Sequence, residues 1–227
     1  MSKLSNTVGS QRLLLTAVNA YPDLLQASLE EAGAIEESET VEWVSPLAKE
    51  GGAEYRDAAA LKKLGIHDRL TSPLTEFWPA RGPVWDGLAM TSNGRSLLLE
   101  AKAHIPEMAS PGTKASEESR LKIEQSLEIA RKHYAPRASA AWTSTFYQYA
   151  NRLAFQFFLR GLNGVDSRLV FLSFINATDV GGPMTIEEWH GATRLLHAVL
   201  GLPADLRDFG VYHAFVDAKV MSVDMVR

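Results

Sequence analysis

The sequence predicts an α/β protein with a mixed central β-sheet flanked by helices. Three observations lead there. Between Pro83 and His104, two apolar-rich runs flank a polar break containing Asn93-Gly94, a strong short-range signal for a β-hairpin. Leu169 to Ile175 is almost wholly apolar and short, which suits a strand buried on both faces. Segments with apolar residues at helical spacing stand before, between and after these strands, and Thr185-x-x-Glu188 is a capping box that opens one of them. Strands interleaved with helices in this way build a layered sheet.

Residues 1–10 read as a disordered tail ahead of one domain, 11–227. Asn19 to Ala32 predicts a helix with Pro22 in its first turn and Gly33 past its end. A strand follows at Val41 to Val44. Gly51-Gly52 breaks the chain, and Ala53 to Leu64 predicts a helix stopped by Gly65. Residues 66–82 read as a loop that exposes Phe77 and Trp78. After the hairpin, residues 105–119 form a long connection of the kind that serves as a lid or binding loop when ordered. Ser116 is placed to cap a helix reaching Tyr134, with Ile123, Leu127, Ala130 and Tyr134 inward. A second helix runs from Trp142 to Arg160. Its buried stripe is Phe146, Tyr149, Ala150, Leu153 and Phe157, which leaves Gln148, Asn151 and Arg152 together on the opposite side. The capped helix turns Trp189, Ala192, Leu196 and Val199 inward and leaves His190 and His197 at the surface. Val211 to Lys219 is the last strand.

Composition narrows the chemistry. The chain of 227 residues has no cysteine, which excludes disulfides, thiolate zinc sites and a cysteine nucleophile, and fits a reducing compartment. The N-terminus lacks a signal pattern and no apolar run approaches the roughly 20 residues of a membrane span, so a cytoplasmic location is expected. Net charge is −4, but residues 1–60 hold 4 Lys+Arg against 10 Asp+Glu, while residues 120–168 hold 8 against 3. The basic region suits a phosphate-binding face and equally a solvated surface. There is no Gly-x-Ser-x-Gly elbow, HExxH, GxGxxG or Walker loop; Pro111-Gly112-Thr113-Lys114 matches only the tail of the last.

Three ionisable residues inside the hairpin need a reason. Asp86 sits in the first strand, and Glu100 and Lys102 follow Leu97-Leu98-Leu99 in the second. A partly buried charge costs several kcal/mol unless it is paired or binds a metal. Glu100 and Lys102, two apart, point to one face, with Leu99, Ala101 and Ala103 on the other. A two-residue turn would set Asp86 opposite Ala101, on the wrong face. A three-residue turn, Ser92-Asn93-Gly94 with Gly94 left-handed, sets it opposite Glu100. The second register, or a bulge to the same effect, is expected, bringing two carboxylates and an ammonium to one spot.

Asp86 followed by Glu100-Ala101-Lys102 on paired strands resembles the PD-(D/E)XK nuclease superfamily, and Gly87 and the three leucines fit the usual surroundings. The resemblance implies a restriction-endonuclease-like core in which Asp86 and Glu100 bind Mg²⁺ (or Mn²⁺) and Lys102 orients or activates the attacking water. It also implies a further acidic ligand ahead of the hairpin, Glu54, with Asp57 the other candidate. Gln148 would match a glutamine found near the active site in several branches. The tyrosine expected four residues later is replaced by Arg152, which is then placed to contact phosphate. More broadly, WPARGPVWDGLA, EAKAHIPEM and FYQYANRLAF resemble an uncharacterised bacterial family, a likeness that assigns no activity.

Mg²⁺-dependent hydrolysis of nucleic acid is therefore the leading expectation, since that ion takes carboxylate and phosphate oxygens and activates water. Two other readings stand beside it. One is a binding or scaffold protein that keeps the fold without cutting. The other is a hydrolase using Asp86 and Glu100 as acid and base on a sugar, which would keep working in a chelator.

Overall fold

The computed structural model describes residues 9–221. Its helices are α1 (Gly9–Ala20), α2 (Pro22–Glu31), α3 (Asp57–Lys63), α4 (Leu74–Phe77), α5 (Glu117–Tyr134), α6 (Tyr147–Phe157) and α7 (Ile186–Leu200). Its strands are β1 (Val41–Ser45), β2 (Tyr55–Arg56), β3 (Val84–Trp85), β4 (Gly87–Thr91), β5 (Ser96–Lys102), β6 (Ser167–Ile175) and β7 (Val211–Asp217). Five of these form one mixed sheet in the order β1-β4-β5-β6-β7, while β2 and β3 pair as a small antiparallel ribbon. Within the sheet β4 runs antiparallel to both β1 and β5, and β5, β6 and β7 run parallel.

Alternation along β5 sorts its side chains into two layers. Leu97, Leu99 and Ala101 pack with Leu13, Leu14 and Val18 of α1 and Leu25 and Leu29 of α2. Leu98 packs on the opposite side with Ile123 and Leu127 of α5, Leu153 and Phe155 of α6, and Leu196 of α7. The sheet is thus covered on both faces. Residues on the even side of β5, including Glu100 and Lys102, are turned toward α6.

The turn between β4 and β5 is the three-residue one. Thr91 and Arg95 close it through a 2.9 Å backbone hydrogen bond, and Gly94 takes φ +79° with its N–H on the Thr91 carbonyl. The pairs Gly87 with Leu99, Leu88 with Leu98 and Ala89 with Leu97 follow from it. A buried Glu39 anchors the turn by accepting from Thr91 Oγ1 and Arg95.

Several local expectations change. The helix expected from Asn19 is α2 and begins only at Pro22, a residue suited to a first turn, while an unexpected helix, α1, precedes it with Leu13, Leu14, Ala17 and Val18 as its buried stripe. Residues 1–8 lie outside the described residues, but Gly9 and Ser10 of the expected tail belong to α1. The helix expected from Ala53 begins at Asp57, because residues 55–56 pair with β3 instead. The helix expected over 142–160 is regular only from Tyr147 to Phe157, with a π-turn over Phe158–Leu162; Trp142 stays outside it and donates its indole N–H to the Leu200 carbonyl. Phe77 and Trp78 are buried, Phe77 stacking on Phe158 and Trp78 meeting Phe155 edge-on. The last strand ends at Asp217, whose carboxylate accepts the Lys219 N–H and turns the chain out of the sheet.

The capping box at Thr185 and Glu188 is formed in both directions. The face of α7 differs from the expected one. Val199 is exposed and His197 is buried, since Tyr149 and the Pro203 carbonyl offer the imidazole two polar partners inside. His190 stays at the surface. No helix among the described residues is long and apolar enough to cross a membrane.

Candidate active site

The charged groups meet where β3 passes into β4 beside the C-terminal end of β5. Asp86 is the single residue between β3 and β4, and the register carried one step beyond Gly87–Leu99 sets it opposite Glu100. Its Oδ2 accepts the Ala101 backbone N–H at 2.7 Å. Glu100 is almost fully buried, and each of its oxygens is engaged: Oε1 accepts from Lys102 Nζ, Oε2 from Arg152 Nε at 2.7 Å. Lys102 also donates to Gln148 Oε1 at 3.0 Å. Helical spacing sets Gln148 and Arg152 opposite the apolar stripe of their helix, and that side of α6 lies against the charged end of β5.

Arg152 does not stand free for a phosphate. It is buried, holds Glu100, donates to the Val84 carbonyl at 2.7 Å and to Asn151 Oδ1 at 2.9 Å, and stacks over the Trp85 ring. Its work is to orient and neutralise Glu100.

Electrostatics separate the two carboxylates. Burial pushes Asp86 up to about 8, helped by the negative Glu100 and opposed by Lys102 and Arg152. Glu100 is held below its usual value although burial opposes that, because Arg152 and Lys102 favour its ionised form. Glu54 also lies within electrostatic reach. Burial and Glu100 raise it, and Gln11 donates to its Oε1 at 2.7 Å. It precedes β2 in an extended segment, not on a helix.

These donors suit a hard divalent cation in kind. Asp86 and Glu100 offer carboxylate oxygens, and the raised Asp86 is a carboxyl that a neighbouring cation would relieve. Among the described residues no group of three Asp, Glu or His side chains is assembled for a metal. Glu54 therefore does not complete a cage with Asp86 and Glu100, and an ion bound here would keep water ligands, as Mg²⁺ readily does. Asp57 is occupied elsewhere: its carboxylate accepts the backbone N–H groups of Arg81 and Gly82 at 3.1 and 2.9 Å. That grip holds Arg81 at φ +66°, a conformation costing a non-glycine residue about 1 kcal/mol or more.

One neighbour escapes the sequence. Phe171 of β6 pairs with Glu100 on one side and with His213 of β7 on the other. Tyr149 stacks on Phe171 at 4.0 Å, and its hydroxyl reaches His197 Nε2 at 2.8 Å and His213 Nε2 at 3.3 Å. Glu100, Lys102, Gln148, Tyr149 and His213 all line one small cavity of about 30 Å³. A histidine in an apolar strand is the available signal.

Comparison with protein-family models, with curated proteins and with solved structures returned no match. Function has to be read from the geometry and chemistry of the site itself.

Proposed function

We propose that this chain is a Mg²⁺-dependent nuclease that hydrolyses phosphodiester bonds of nucleic acid, with Asp86 and Glu100 as metal ligands and Lys102 as the residue that orients the attacking water. The observation that carries the reading is the register of the hairpin, which sets Asp86 opposite Glu100 with Lys102 two residues on. A bound Mg²⁺ would lower the pKa of a water and offset charge on the phosphate. Lys102 holds its ammonium between Glu100 and Gln148, which leaves a third N–H to direct at water or at a phosphoryl oxygen. Arg152 keeps Glu100 ionised and fixed. Mn²⁺ would serve the same oxygen donors.

A second reading draws on a specific feature. Glu100 is buried with both oxygens already engaged, as in an ion cluster that holds a sheet end together. A nuclease-like protein that binds without cutting would look this way.

Labelled single- and double-stranded DNA and RNA, incubated with the chain in Mg²⁺, Mn²⁺ or EDTA, decide between them. The nuclease reading expects cleavage with metal, none in EDTA and none with Asp86→Asn. Absence of cleavage in every metal arm leaves the binding reading. Cleavage that persists in EDTA removes the metal from the chemistry.

A further inference from the structure

A large cavity lies beside the charged cluster, between the Trp78–Pro83 segment and the stretch that leads into α5. Its volume is about 620 Å³, and Trp78, Arg81, Lys114, Ser119, Tyr147 and Asn151 are among the residues lining it. That volume suits a nucleotide-sized ligand.

Charge points to the sign of that ligand. Two cations, Arg81 and Lys114, line the cavity, and among the described residues no carboxylate does. The chain as a whole is acidic, at −4. Neither cation makes a side-chain hydrogen bond or ion pair with a described residue, whereas Arg95, Arg131, Arg152 and Arg160 are all paired to carboxylates. Arg81 is held in place by a strained left-handed backbone that Asp57 clamps. On the opposite wall, Gly112 passes so close to Thr143 that a Cβ would stand 2.6 Å from the Thr143 carbonyl oxygen, which fixes the path of the segment bearing Lys114. Hydroxyls of Ser119 and Tyr147 add further donors to the lining.

Position links the cavity to the cluster. Asn151 lines it and accepts from Arg152 Nη1, and Arg152 in turn holds Glu100. Pro83 also lines it, and the next residue, Val84, accepts from Arg152 Nη2. One shell of side chains separates the two.

We infer that this cavity seats a phosphodiester of a nucleic-acid strand next to the bond presented to Asp86, Glu100 and Lys102, with Arg81 and Lys114 as its phosphate-binding pair. The inference rests on the nuclease reading for the identity of the strand. The pairing of Arg81 with Lys114 rests on the cavity alone.

Binding of a fluorescein-labelled twelve-nucleotide oligothymidylate, followed by anisotropy in EDTA between 50 and 200 mM NaCl, tests the site without cleavage. Arg81→Ala and Lys114→Ala should each weaken binding several-fold and flatten the dependence of log K on log salt by about 0.7 per lost phosphate contact. Arg194→Ala removes an exposed cation on α7, outside the cavity lining, and should leave both unchanged. Unaltered affinity in the two cavity variants, or an equal loss with Arg194→Ala, overturns the site. Thymidine 5′-phosphate competing as strongly as the oligomer overturns the strand in favour of a free nucleotide. Salt-dependent binding lost with Arg81 and Lys114 but no cleavage with metal supports the site while refuting the nuclease reading, so the two fail separately. Thermal unfolding of each variant, expected to match the parent because both side chains are accessible, confirms that folded protein was measured.

Discussion

Arg152 holds Glu100 through a 2.7 Å charge-assisted hydrogen bond in which side chains of both residues are at most 3% exposed. Removing one member of such a pair leaves the other charge buried and unmatched, which costs about 3–5 kcal/mol. Arg152→Ala should therefore lower the melting temperature by roughly 10 °C for a chain of this size. A shape-filling apolar pair, Arg152→Met with Glu100→Leu, removes both charges together and should recover most of that loss. Thermal unfolding of the single and double variants reads this directly. A loss for Arg152→Ala under about 1 kcal/mol would show that the pair is solvated and that Arg152 is available to substrate after all.

Lys102 answers a different question, because its side chain is partly accessible and its partners, Glu100 and Gln148, keep other contacts or reach solvent. Lys102→Ala should reduce cleavage about a hundredfold or more while changing the melting temperature little. Cleavage and unfolding measured on the same preparation separate the roles. Full activity with a large stability loss would make Lys102 a structural partner.

The legible parts of the molecule are those whose cause is local. Asn93-Gly94 with its flanking apolar runs specifies the hairpin, and the choice of a three-residue turn then comes from asking which register gives Asp86 a charged neighbour. The α5 stripe and the Thr185 capping box need only spacing. Side chains with a distant partner are not legible. His197 is a polar residue on an apparent outer face until Tyr149, 48 positions away, arrives to bond it. Phe77 and Trp78 sit among loop residues and find their burial against Phe158 and Phe155 of a segment far along the chain. Glu54 falls within a helical pattern, but pairing of the next two residues with β3 delays the helix to Asp57. Periodicity places Arg152 on the correct side of its helix, yet its burial against Glu100 depends on the depth at which α6 packs, which periodicity does not reveal.

His213, which shares a small cavity with Glu100 and Lys102, supplies a pH dependence of its own. Burial holds it down to about 3, and the nearby His197, itself depressed by burial, adds to this. The unfolded chain binds these protons near the ordinary histidine value of about 6.5 while the folded chain does not. Stability is thus fully present above that pH and is lost as pH falls toward 3. His213→Phe keeps the stacking with Phe171 and removes one of the two groups, so its melting temperature should fall less steeply between pH 6.5 and 4 than that of the parent. Parallel acid limbs for the two proteins would show that His213 is protonated in the fold.

Asp86 carries the last prediction, and its sign is opposite. Its carboxyl is raised from an ordinary 3.8 to about 8 by burial and by Glu100. Without metal it therefore keeps its proton at pH 7, and the fold loses stability as pH rises from about 4 through 8, where ionisation is forced on a partly buried group beside Glu100. A divalent cation needs the ionised form, so binding at pH 7 must expel that proton. Calorimetric titration with Mg²⁺ or Mn²⁺, in two buffers of different ionisation enthalpy, should register close to one proton released per ion at pH 7. The release should shrink toward zero above pH 9, and affinity should climb between pH 6 and 8. Asp86→Asn should abolish the release and weaken binding, while gaining stability over the parent most clearly at alkaline pH. Metal binding without proton release would mean that Asp86 is already ionised or is not a ligand. In the first case the raised Asp86 would be refuted and its role as a ligand kept; in the second the acidic pair could not work as proposed, and the cation would have to be held by Glu100 with another partner.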